Sequence, residues 1–71
     1  MSNYTEGLTK RIKRKTDEVE NNLLTIKNIE GRINRDESAI IEFRIENDIL
    51  MEEIAFLDQR RKENEWYSRR N

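Results

Sequence analysis

The side chains able to do chemistry in this chain of 71 residues are fifteen carboxylates and fourteen Lys or Arg, with no Cys and no His. Carboxylates can serve as general acids or bases, or hold cations. Each role requires an enclosure that shifts their pKa values or converges several oxygens. The absence of Cys and His removes thiolate nucleophiles, imidazole bases, disulfides and zinc sites of the Cys/His type. No phosphate-cradling Gly loop, nucleophile motif or metal-ligand spacing is present, so neither catalysis nor a cofactor or metal is expected. What remains is recognition by charge and by apolar surface.

The net charge is −1, but the charges are sorted along the chain. Lys10, Arg11, Lys13, Arg14 and Lys15 form a basic block around Ile12, a candidate anion-binding segment. Residues 36–58 then carry Asp36, Glu37, Glu42, Glu46, Asp48, Glu52, Glu53 and Asp58 against the single Arg44. The end turns basic again around Trp66 and Tyr67, residue types favoured at binding hot spots when Arg flanks them.

These groups need an element to position them, and the apolar residues supply it. Starting from Ile12 as heptad position a, six of the ten Ile and Val residues fall on a, against the about one or two of random placement. The seam consists of Ile12, Val19, Ile26, Ile29, Ile33, Ile40, Phe43, Asn47, Leu50, Ile54 and Leu57. A seven-residue apolar repeat of this length predicts a helix that buries a narrow stripe against another helix in a left-handed supercoil. Only 34% of the residues are apolar and Pro is absent, so the expected class is all-α rather than a globular mixed domain.

Ile at a, Leu at d and one Asn at a are the preferences of a parallel two-stranded coil. The first expectation is therefore a single long helix pairing with a second copy as a homodimer. In that picture residues 1–7 are a short flexible N-terminus, 8–65 the coiled-coil helix and 66–71 a basic aromatic tail. The helix has a weak point near 31–37, where Asp36 at d opposes burial. Lys15 and Asn22, also at d, weaken its first third. The alternative is a helical hairpin with a turn near 34–37 that dimerises into a four-helix bundle. It is suggested by Gly31 as a helix end and by Asn34 as an N-cap with Glu37 three residues on.

A second stripe, Ile41, Ile45, Ile49 and Phe56, recurs at helical spacing on positions b, f and c, away from the seam. Together with Trp66 and Tyr67 it forms the candidate partner-binding surface, because apolar patches surplus to a core mark contacts. The expected function is a non-enzymatic oligomerisation or adaptor element that scaffolds a larger assembly through a second protein. The alternative is a dimeric nucleic-acid-binding regulator whose basic N-terminal arm grips phosphates. No run approaches the roughly 18 apolar residues of a membrane span, so an intracellular, cytoplasmic protein is expected.

Overall fold

The computed structural model describes residues 3–70, with side chains to Tyr67. The class is all-α, and of the two architectures the chain adopts the hairpin. Helix α1 (Asn3–Glu30) and helix α2 (Glu37–Arg70) pack closely, antiparallel, in a rod of 59 × 15 × 11 Å. The single continuous helix is corrected by the break between Glu30 and Glu37. At that break Gly31 N–H still donates to the Lys27 carbonyl at 3.1 Å, and Arg32 N–H tightens the turn with a bond to the Ile29 carbonyl. Gly31 has no positive φ, so it ends the helix without a left-handed cap.

The restart is set by Asp36. Its side-chain carboxylate accepts the backbone N–H of Ala39 at 3.1 Å, and its carbonyl accepts the first helical bond from Ile40 N–H. Asp36 is therefore the N-cap, two residues beyond the expected Asn34, and such a cap contributes about 1 kcal/mol. The carboxylate that weakened an uninterrupted seam stabilises the start of α2 instead. Ile33, counted in the seam, is corrected as well: it is fully exposed in the turn because the chain has left the helix there.

The heptad itself survives the reversal. Outside the turn, every a and d residue from Thr5 to Asn64 is buried or half-buried. Ile26, Ile29 and Ile40 form the core cluster nearest the turn, with Ala39 and Phe43 packed against it. Leu8 and Leu50 are also buried. The seam that was assigned to a parallel second chain thus joins the two arms of one chain. Position a of one arm meets position d of the other.

The polar seam positions explain why this direction is satisfactory. Asn22 donates to Asn47 at 2.8 Å, and Asn47, only 6% exposed, donates in turn to the Val19 carbonyl at 3.4 Å. Asn64 donates to the buried Thr5 hydroxyl at 2.6 Å, and Lys15 pairs with Glu53. Asn22 and Lys15, weak points in a parallel coil, are matched in the antiparallel one. Among the described residues no buried side-chain nitrogen or oxygen lacks a partner. The helix boundaries also shift outward. Thr5 and Leu8 anchor α1 from Asn3 rather than from residue 8, and α2 runs through 66–70 rather than ending at 65.

Two measurements check this fold. Thr5→Cys with Asn64→Cys should form an intramolecular disulfide in the otherwise Cys-free chain, raising stability by up to about 4 kcal/mol through loss of denatured-state entropy. A continuous helix would give only intermolecular bridges on a non-reducing gel. Urea unfolding should show Asn47→Ala costing roughly 1–3 kcal/mol by stranding Asn22. The double replacement Asn22→Ile with Asn47→Ile should recover that loss, because neither position then keeps an unpaired amide.

Candidate interaction surfaces

The reversal leaves the outer face of α2 uncovered. Ile41, Ile45, Ile49 and Phe56 are between 52 and 61% exposed, at positions b, c and f of α2 outside the seam, with Phe56 also bordering a groove shared with α1. Trp66 and Tyr67 continue along the same helix, also more than half exposed. Their rings meet edge to face, with centroids 5.0 Å apart and planes at 76°. The Arg60 guanidinium lies 5.8 Å from the centre of the Phe56 ring, within cation–π range. The expected partner-binding residues are thus brought onto α2 as one exposed apolar and aromatic series.

Leu23, Leu24 and Met51 belong to the exposed apolar surface as well and were not singled out by the sequence pattern. Leu23 and Met51 are both at e. Only when the arms run antiparallel do their e positions share one flank of the seam. There they line an open groove with Val19, Ile26 and Asn47. Leu24 stands apart on the outer face of α1.

The five residues of the basic block do not act as one site. Lys15 turns into the seam and is neutralised by Glu53. Arg11 and Arg14 line a groove on the opposite flank, together with Glu18, Glu52, Phe56 and Leu57. Lys10 and Lys13 are exposed. The fold nevertheless places this block beside the second basic segment, since Arg61 reaches the Thr9 hydroxyl at 3.4 Å. Asp58 holds Arg61 and Lys62 together, and hydrogen bonds from Lys62 and then Arg61 lower its pKa below the ordinary carboxylate value.

Folding therefore changes the charge pattern from three zones to two. Residues 3–16 and 58–70, which meet at the open end, hold ten Lys or Arg against four Asp or Glu. Residues 17–57, toward the turn, hold eleven acids against four cations. The rod is basic at its open end and acidic toward its turn, and the apolar series begins in the acidic part. Among the described residues no cluster of carboxylates could hold a metal ion, and no helix is long and apolar enough to cross a membrane. Comparison with protein-family models, curated proteins and solved structures yields no match for this chain.

Proposed function

We propose that the hairpin is a non-catalytic docking module, an adaptor that presents the outer face of α2 to a second protein within a larger assembly. The observation that carries this reading is the exposure of Ile41, Ile45, Ile49 and Phe56 after the seam residues have been consumed within the chain. The molecular surface supports it. The chain exposes 5978 Å² at 8.7 kDa, whereas a compact monomer of that mass exposes about 4,700 Å². The excess is of the order that one partner buries in an ordinary protein interface, roughly 800 Å² or more. Docking through this face does not call on the seam for a partner, since most seam residues face one another across the hairpin.

A photo-crosslinking residue at Ile45 in the native host should capture a discrete protein, while the same residue at Asn28, exposed on α1, should not. Adding Ile49→Asp should abolish capture while leaving stability within about 0.5 kcal/mol, as for other exposed sites. Equal capture from both helices, or none from Ile45, would remove the reading.

A second reading is favoured by one observation, the meeting of the Lys10–Lys15 block with Arg60–Lys62 at the open end. Such an end suits a polyanion such as nucleic acid, bound chiefly through its phosphates. Mobility shift at low salt should then weaken on Lys13→Ala with Arg14→Ala and disappear as salt rises. Absence of any shift at low salt rules this contact out.

A further inference from the structure

The outer face of α2 carries charge as well as apolar surface. Glu42, Asp48 and Glu52 share positions b, c and f with Ile41, Ile45, Ile49 and Phe56, and Glu46 adjoins them at g. All four carboxylates are exposed, and none has a described Lys or Arg within salt-bridge distance, although Glu52 shares a groove with Arg11 and Arg14, and Asp48 shares one with Lys27 and Arg44. The other acids of this stretch behave differently: Glu53 is neutralised by Lys15 and Asp58 by Arg61 and Lys62. The unneutralised four also stand as two like-charge pairs, Glu42 with Glu46 and Asp48 with Glu52, each at i,i+4 spacing. Such pairs oppose the helix that carries them. They do not converge on a cation site, because no such cluster exists among the described residues.

We propose that the outer face of α2 docks a cationic amphipathic helix of another protein, its apolar residues on Ile41, Ile45, Ile49 and Phe56 and its Lys or Arg residues on Glu42, Glu46, Asp48 and Glu52. The proposal rests on the reading of this face as a docking surface and adds the chemistry of its occupant. From Ile41 to Phe56 the face is about 22 Å long at 1.5 Å per residue, so a partner helix of four to five turns covers it. Helix-in-groove partners present apolar anchors at i, i+3, i+4 and i+7, which is the spacing that this face can match.

Charge selects this occupant over the other candidates. A second copy using the same face would bring both sets of unneutralised carboxylates together. A second copy using its outer α1 face would offer cations but, among the described residues at its b, c and f positions, Leu24 as the only large apolar residue. Nucleic acid and anionic lipid are repelled by a face whose four carboxylates outnumber the Arg60 guanidinium beside Phe56.

Calorimetric titration of the full chain with three synthetic 18-residue peptides tests the proposal. One is a Leu/Lys amphipathic helix, one has the same composition in scrambled order, and one is the Leu/Glu counterpart of the first. The Leu/Lys helix should bind at least about tenfold more tightly than the scrambled peptide, and more weakly as salt rises from low to high. The Leu/Glu helix should not bind. Ile45→Asp with Ile49→Asp should abolish binding, and Glu46→Lys with Glu52→Lys should shift preference toward the Leu/Glu helix, circular dichroism confirming that both variants remain helical. Equal binding of the scrambled peptide, or binding untouched by Ile45→Asp with Ile49→Asp, would overturn the proposal. So would sedimentation showing a dimer that this pair of substitutions converts to monomer, since the occupant would then be a second copy. Crosslinking from Ile45 to a partner without binding of the Leu/Lys helix would leave the docking surface standing and the cationic occupant refuted. Failure of both would remove both.

Discussion

The hydrogen bond between Asn22 and Asn47 fixes the register on which the remaining geometry depends. A two-helix hairpin has one seam and no enclosed core, and among the described residues no large side chain is completely buried. Apolar contacts along such a seam are non-directional and would tolerate a slip of one heptad. The polar layers would not. In the observed register Asn meets Asn, Lys meets Glu, and Thr meets Asn, while a slip of one heptad would set Asn22 against Ile40 or Ile54 and Lys15 against Asn47 or Arg61. A half-buried amide left without a partner costs about 1–3 kcal/mol, and two of the three polar layers in this short seam hold amides. The turn then follows, because only a reversal between Glu30 and Glu37 lets this register form.

The sequence made the seam legible but not its direction. Heptad spacing identifies which residues face a neighbouring helix, and all of them except Ile33 and Asp36, which fall in the turn, do so. It does not say whether that neighbour is another molecule. Asn47 suits a parallel dimer when considered alone. The discriminating signal was the matching of polar positions across the turn: Asn22 at d opposite Asn47 at a, and Lys15 at d beside Glu53 at g. An uninterrupted heptad phase through residues 31–36 concealed it, because a loop of suitable length preserves phase without helix. Asp36 carries a related ambiguity. A carboxylate at d is unfavourable inside a coil and favourable one residue before a helix, and only the break decides between them.

The outer stripe was legible because it rests on helical spacing alone, which the reversal leaves intact within α2. Ile41, Ile45, Ile49 and Phe56 stay on one side whether α2 is an arm of a hairpin or half of a longer helix. Leu23 and Met51 were hidden because their juxtaposition requires the arms to be antiparallel. The basic segments were hidden in the same way: separated by more than forty residues in the chain, they become neighbours only when Thr9 lies beside Arg61. Features carried within one helix can be read from spacing, whereas features assembled from two depend on chain direction.

Direction also determines the electrical character of the rod. The backbone dipoles of α1 and α2 oppose one another and largely cancel, so the polarity of the molecule comes from its side chains. A continuous helix of this sequence would be basic at both ends and acidic in the middle, with no net axial polarity from them. Folding it in half superimposes the two basic ends and leaves the acids toward the turn. The resulting separation extends over tens of ångströms, several times the screening length of about 8 Å at physiological ionic strength, so each end acts on its surroundings independently. An approaching cationic helix is drawn to the acidic part of α2, where Ile41, Ile45 and Ile49 are exposed, and is repelled from the open end. Apolar contact alone would permit either orientation of such a helix on a stripe of similar residues. A charge gradient running along α2 would distinguish the two orientations, and the reversal at residues 31–36 reinforces that gradient by bringing the basic block of α1 beside the basic end of α2.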